Sequence, residues 1–515
     1  MILISFISIL SLSFFRLFII FLYKSKSKLL LEGDGAHHFM RFSKCKEDIN
    51  NRKYDQWILD DRETYYPILF HQICALIFPI KLIKMTPWLP SFVFFVLGGM
   101  CFYGLSLESI KHLGESIDIK LFSGLLIGLF CLSLNNLDFN GNKSNYIQFS
   151  ERLLSKVCVG LYTLSLYLAM TIDLKYSLIA LICSSLLFFI SQFGRQAIVF
   201  FPIILSILSL NWVPLGVLFC AVLINLIIAP KVFVGSITGW LAYMNTYFRL
   251  MQRSVIKSRK SALSAWVTWS EIKKKYSSSL KGLVYYVLEK EPVHSIKVGA
   301  SSIFIGYLVL KYSVVSIDPL LIKFLITPFI ISTLIALKPL NFLGQSYRYI
   351  EYLLYYLPIY LLSLIYIQSP KQYVWDYVIY IMIVVIYVAF ITMCYRHFQK
   401  NQKTNTYKVT QLLSNYNIEK DDIVLMIHLF DMQLLSILSG CKVVHFSTYL
   451  YYQDAVLFFE SEKYPYIRKD FHGILKEYKV SKLIVDKEYL KESEIDYDFS
   501  SLKLDYENDD YYVYV

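Results

Sequence analysis

The sequence predicts an all-α polytopic membrane protein of about 11 to 13 helices, followed by a small C-terminal α/β domain. Three observations predict it. Of 515 residues, 56% are hydrophobic and only 17% are charged, which leaves too little polar surface to cover a soluble core. The apolar residues gather in stretches close to the roughly 20 residues that a bilayer-spanning helix needs. From Thr404 onward the pattern changes to short apolar runs between polar helical windows.

The apolar stretches lie near residues 3–23, 66–84, 90–107, 119–136, 155–172, 176–193, 197–210, 212–230, 298–316, 319–338, 350–368 and 374–395. The first, ILISFISILSLSFFRLFIIFLY, is too long for a signal-peptide core, lacks a small-residue cleavage site and runs into Lys24, Lys26 and Lys28, so it reads as a retained helix. The transmembrane domain is expected over residues 1–400, with a first external loop at 24–65 and a basic amphipathic loop at 231–297. In that second loop Trp240, Trp266 and Trp269 alternate with clusters such as Lys273, Lys274 and Lys275, the composition of helices lying along a membrane surface or of a solvated cytoplasmic loop. The net charge of +12 sits mainly beside apolar spans, where the positive-inside bias and anionic headgroups account for it, so nucleic acid is not an expected partner. Nine scattered cysteines with no CxxC pair suggest neither a zinc site nor a disulfide framework.

Residues 404–515 read as a soluble α/β domain. DDIVLMIH is a strand, MQLLSILSG a helix stopped by Gly440, KVVHFS a strand, DFHGILKEYK a helix and KLIVDK a strand, an alternation that argues for a largely parallel sheet. SLKLDY and YYVYV predict a terminal hairpin. No glycine-rich phosphate loop follows the first strand, which speaks against a nucleotide site. No internal repeat is visible, which weighs against a transporter.

The chemistry-bearing residues stand between apolar stretches. Asp34 lies in Gly33-Asp34-Gly35, where small neighbours leave the carboxylate open to a substrate, a proton or a divalent cation. His37 and His38 follow at i+3 and i+4, so a helix beginning after Gly35 returns one of them to the Asp34 face, where it adds a metal contact or orients an acceptor. The same residues also fit a hydrated loop with a turn at the glycines. His71 reads as a satisfied helix polar group. A second polar island, from Asn135 to Leu154, offers Asp138, Glu151 and Arg152. A third places Arg348 and Glu351 at i+3, as a bidentate phosphate ligand, an intrahelical ion pair or a headgroup contact. Arg195, in SQFGRQ, sits between apolar runs, where charge is expensive and usually functional, or snorkels to an interface.

GDGAHH after the first helix, YYPILFH opening the next, FSER before another, then SQFGRQ and LGQSYRYIEY, together resemble the GT-C superfamily of integral-membrane glycosyltransferases, across most of residues 1–400. Relatives in that superfamily include the oligosaccharyltransferase catalytic subunit, protein O-mannosyltransferases and aminoarabinose transferases. The resemblance implies a GT-C fold and inverting transfer of a sugar from a polyprenyl-phosphate carrier to an acceptor hydroxyl at the extracytoplasmic face of the inner or plasma membrane. It makes Asp34 the catalytic carboxylate, Asp34 and Asp138 the ligands of a divalent metal (Mg or Mn), and Glu151 the runner-up to Asp138. Arg348, with Arg195 less central, would face the phosphate, and His37, His38, Glu351 and Arg152 would complete the substrate site. Gln345 stands where many relatives carry an acid, and no WWDYG-like signature is present, which disfavours a sequon asparagine as acceptor.

The implied partners are a lipid-linked sugar donor, membrane lipids and a glycan, lipid or protein acceptor. For Asp34, Asp138 and Arg348 to share one side, stretch 66–84 or 197–210 has to lie at the interface or re-enter. The rival readings are a transporter or flippase for a lipid-linked glycan, a glycan polymerase or ligase, and a non-catalytic scaffold whose tail binds a partner.

Overall fold

The computed structural model describes residues 34–50, 66–112, 149–251, 319–337, 346–357, 405–427, 432–444, 456–460 and 466–515, with isolated positions between them. Long apolar runs with few charges build four helices long and apolar enough to cross a membrane: α4 (Leu89–His112), α5 (Arg152–Thr171), α7 (Gln192–Ser209) and α10 (Pro319–Ala336). Between and around them run α1 (Asp34–Glu47), α2 (Leu69–Ile77), α3 (Ile80–Met85), α6 (Ser177–Ile190), α8 (Val213–Ile228), α9 (Pro230–Met251) and α11 (Tyr347–Leu353). The core is centred on α5, whose Leu153, Tyr162, Leu164 and Leu168 are fully buried among Phe102, Phe201, Phe324 and Tyr356.

Several boundaries differ from those that hydropathy predicts. Stretch 66–84 is two helices, because Phe78 and Pro79 are extended and separate α2 from α3, each too short to span a bilayer. Stretch 176–193 is interrupted at Ser191, which is extended (φ −155°, ψ 143°) and caps the next helix by accepting from the Gly194 amide at 3.3 Å. Stretch 197–210 therefore belongs to the longer α7, which packs tightly on α5: a methyl group at Gly194 would lie on Ser155 Oγ. Residues 34–47 of the expected external loop form the buried helix α1. The start of the expected basic loop at 231 continues α9, whose Phe233, Trp240 and Met244 are buried against the core. Stretches 3–23, 119–136, 298–316 and 374–395 lie largely outside the described residues.

The C-terminal part follows the predicted alternation. Helix α12 (Asn405–Asn415) precedes β1 (Ile423–Ile427), α13 (Met432–Ser439), β2 (Lys442–Val443), α14 (His472–Glu477), β3 (Lys482–Asp486), α15 (Lys487–Ser493), β4 (Leu504–Glu507) and β5 (Tyr511–Tyr514). The five strands are ordered β2-β1-β3-β5-β4. β1 pairs in parallel with β2 and β3, β5 is antiparallel to β3, and β4 and β5 form the terminal hairpin. Gly440 ends α13 at φ +79°, the left-handed region that glycine enters without side-chain strain. Val424 to Ile427, Ile484, Val485 and Val513 bury the sheet, and Met40 of α1 and Leu250 of α9 are part of the same apolar core. The C-terminal domain is thus joined through α13 to the helix that opens with Asp34.

Candidate functional site

Helix α1 carries polar side chains suited to water, and the fold buries them: His37 is 8% exposed, His38 3% and Arg41 0%. Buried polar and charged groups require partners. His37 and Arg41 are one turn apart, and Arg41 Nε donates to His37 Nε2 at 2.7 Å. That bond makes Nε2 the acceptor and assigns the His37 proton to Nδ1, which faces the Gln433 side-chain amide of α13 at 3.5 Å. The Arg41 guanidinium also lies 4.1 Å over the Tyr66 ring.

His38 links α1 to two other elements. Its Nε2 meets Glu151 Oε2 at 2.6 Å, and its Nδ1 shares a hydrogen bond of 3.0 Å with His71 Nε2 of α2. Tyr66 donates to Glu151 Oε1 at 3.3 Å. Gln433, His37, Arg41, Tyr66, Glu151, His38 and His71 therefore form one connected set that joins α13 of the C-terminal domain to α1, α2 and the start of α5. Burial, then the positive fields of His38 and Arg41, push the His71 pKa well below its ordinary 6.5. Burial works against the Glu151 carboxylate, but its contacts with His38 and the nearby Arg152 outweigh that and hold its pKa below the ordinary 4.5.

The second half of the site joins α5 to α11. Lys156 is fully buried, and its Nζ donates to Glu351 Oε1. Glu351 also lies in the fields of Arg348 and Arg152, so three cations converge on one carboxylate. The Arg348 guanidinium carbon lies 4.2 Å over the Phe193 ring of α7. Glu151 also lies in the field of Arg152, so three cations and two carboxylates share this end of α5 and α11.

The structure brings together His37, His38, Glu151, Arg152, Arg348 and Glu351 from the set expected on sequence. Asp34 opens α1 one turn before the two histidines; its side chain, like all of Asp138, lies outside the described residues. The expectation that Arg195 meets a phosphate or an interface is corrected. Its guanidinium is fully buried and donates to the Phe188 carbonyl at 2.6 Å, the Ser236 carbonyl at 2.9 Å and Ser236 Oγ, pinning α6, α7 and α9 together. Arg41, Tyr66 and Lys156 were missed. A lone lysine in RLLSKVCVGLYTL, an otherwise apolar helix, was the available signal for Lys156, and the i+4 spacing from His37 was the one for Arg41. His71 is bonded to His38 through Nε2, while its buried Nδ1 has no partner among the described residues, so the reading of a satisfied polar group holds for one ring nitrogen only. Among the described residues no three His, Cys, Asp or Glu side chains converge to hold a metal ion, and His38, Glu151 and His71 spend their facing atoms on one another.

No family model matches the sequence, and no curated protein sequence does. A solved structure matches the fold. The crystal structure of the Archaeoglobus fulgidus oligosaccharyltransferase complex with Zn and sulfate aligns with a TM-score of 0.51 at 12% identity, over 94% of this chain and 67% of that one. The chain has an oligosaccharyltransferase fold. A second structure, archaeal oligosaccharyltransferase AglB from Archaeoglobus fulgidus with an inhibitory peptide and a dolichol-phosphate, aligns over 93% of this chain and 69% of that one, at a TM-score of 0.49 and 12% identity. The likeness is one of fold, and it agrees with the architecture that the motifs implied; four helices among the described residues are long and apolar enough to cross a membrane.

Proposed function

We propose that the chain is an inverting membrane glycosyltransferase that moves a sugar from a polyprenyl-phosphate carrier to an acceptor hydroxyl at the extracytoplasmic face. The observation that carries this reading is the convergence of Arg152, Lys156 and Arg348 on Glu351, within an oligosaccharyltransferase fold. In the proposed reaction the acceptor oxygen attacks the anomeric carbon, its proton passes to Asp34, and the carbon–oxygen bond to the carrier phosphate breaks, with the electron pair leaving on that phosphate. Positioned base assistance contributes ~10² to 10⁴ in rate. The guanidinium of Arg348 with Arg152 and Lys156 stabilises the charge gathering on the leaving phosphate. His38, bonded to Glu151 and His71, and His37, bonded to Arg41, hold α1 so that its first residue, Asp34, is presented at a fixed place. Residues 404–515 serve as an α/β domain packed on α1.

The described donors do not by themselves make a metal site. A divalent cation on Asp34 and Asp138 belongs to the proposal only as the resemblance implies it, and no step depends on it. Membranes containing wild type or Asp34→Asn at matched expression, supplied with radiolabelled polyprenyl-phosphate sugars, test the reading. Transfer by wild type and a loss of at least about 100-fold in the variant is expected; equal transfer removes Asp34 from the mechanism, and no transfer by either protein contradicts the assigned donor class.

A further inference from the structure

Resting on the reading of α4 as a membrane span, and independent of sugar transfer, we infer that α3 with the end of α2 is a docking surface for acidic phospholipids. Lys81 and Lys84 hold the negatively charged headgroups at the edge of the bilayer. Helix α3 is IKLIKM, and its one buried side chain, Ile83, turns it toward the core. At 3.6 residues per turn, Lys81 and Met85 lie about 160° around the helix from Ile83, and Lys84 stands beside Lys81. Both lysines are exposed, and neither has an ion-pair or hydrogen-bond partner among the described residues. Lys44, Lys46 and Lys156, by contrast, donate to Glu47, to the Ala75 carbonyl and to Glu351. From Thr64 to Leu107 the sequence supplies no acidic residue.

Apolar side chains surround the two charges. Leu76 and Met85 are 76% and 69% exposed, and Ile77, Ile80 and Leu82 are exposed as well. Such apolar surface is costly in water, and an ammonium group is costly in hydrocarbon. The combination fits the headgroup level of a bilayer, where apolar side chains dip into the acyl chains while lysines stay among anionic headgroups. The position in the chain agrees. Only Thr86, Pro87 and Trp88 separate α3 from α4, and the Leu89 amide donates to the Thr86 carbonyl at 3.0 Å, so α3 stands at the membrane edge where that span begins. The exposed apolar residues of α8, Phe219, Ile227 and Ile228 among them, differ: no charged residue occurs from Gln196 to Pro230, and that surface matches hydrocarbon. Lys111, at the far end of α4, is also exposed but has Glu108 one turn before it and the buried Ile110 beside it. An acidic phospholipid answers both features of α3, each lysine near an anionic surface favouring it by a factor of about 5.

A photoreactive probe at the surface tests this. Full-length protein with p-benzoylphenylalanine in place of Met85 is reconstituted into bilayers with a minority of phosphatidylglycerol in phosphatidylcholine of the same acyl chains, then photolysed, and its adducts are identified by mass spectrometry. Phosphatidylglycerol is expected in the adducts above its share of the bilayer, and Lys81→Gln with Lys84→Gln is expected to lower that enrichment at least about 5-fold. Lys111→Gln leaves it unchanged, and the same probe at Ile227 captures the two lipids at their bulk ratio. Added salt lowers the enrichment at Met85 without any lysine variant. Adducts at the bulk ratio, an enrichment that survives the double variant or ignores salt, or adducts only to peptide from a second copy overturn the inference. Because turnover is not read, a protein that transfers no sugar sinks the glycosyltransferase reading and leaves this test intact. Absence of lipid adducts at both Met85 and Ile227 sinks the membrane reading together with the inference, whereas their absence at Met85 alone sinks the inference only.

Discussion

The helical part and the C-terminal sheet pair charge differently. The sheet buries an apolar core, with Val424, Ile427 and Val485 fully covered, and its closest ion pairs keep some contact with solvent: Lys487 and Glu507 are 25% and 50% exposed, Lys482 and Asp422 15% and 14%, and Lys408 reaches past the buried Asp486 to the exposed Glu488. At the meeting of α1, α5 and α11 the pairs are inside, with Lys156 at 1% and Glu351 at 12% exposure. Exposed pairs are worth little but cost little. Buried pairs are poor stabilising devices, because the desolvation cost offsets most of their attraction. Packing explains the sheet, whereas charge buried at one end of a helical bundle calls for a ligand to justify it.

The largest effect that separates the two regions is expected from breaking a pair. Lys156→Ala leaves the Glu351 carboxylate buried beside a cavity and should cost about 3 to 5 kcal/mol, whereas Lys487→Ala should cost under about 1 kcal/mol. Replacing both Lys156 and Glu351 by methionine should restore or raise thermal stability in detergent while abolishing sugar transfer. A double variant that is stable and still active would show that the buried pair serves packing alone.

A smaller contrast lies in the pH dependence. His71 has an ordinary value of 6.5 and is depressed in the fold, so the unfolded chain binds more protons below that pH. The stability it contributes is complete above pH 6.5 and is lost at about 1.4 kcal/mol per pH unit below it, until the folded pKa is reached. Glu151 adds a loss that begins below its ordinary 4.5. In the sheet, burial of Asp422 is outweighed by Lys482 and the Glu419 amide, and its loss begins only below 3.8. Between pH 6.5 and 4.5, hydrogen exchange should therefore speed up in α1 and α2 while β1 and β3 keep their protection, and His71→Gln should flatten the response. Equal loosening of both regions would contradict the assignment.

The two regions also differ in how far the sequence discloses them. The strands IVLMI and KLIVD are β-branched runs bounded by polar residues, and Gly440 marks a helix end by its backbone freedom alone, so local chemistry located them. The helical site is held by contacts that skip 33 residues from His38 to His71, 85 from Tyr66 to Glu151 and 195 from Lys156 to Glu351, and no spacing rule reaches that far. A row of histidine, arginine and lysine in α1 looks hydrated until its partners are known, which is why a hydrated loop stood beside a helix as a reading of these residues. Hydropathy also averaged across Phe78-Pro79 and Ser191, where one or two residues in extended conformation divide what composition alone would join.

The central claim is that the cations facing Glu351 bind the donor's phosphate. Steady-state transfer by wild type and Arg348→Ala, with donor and acceptor varied separately, tests it most directly. The account predicts a donor KM raised at least about 10-fold, consistent with loss of a charge-assisted contact, and an unchanged acceptor KM. An unchanged donor KM, or an effect confined to the acceptor, would contradict it.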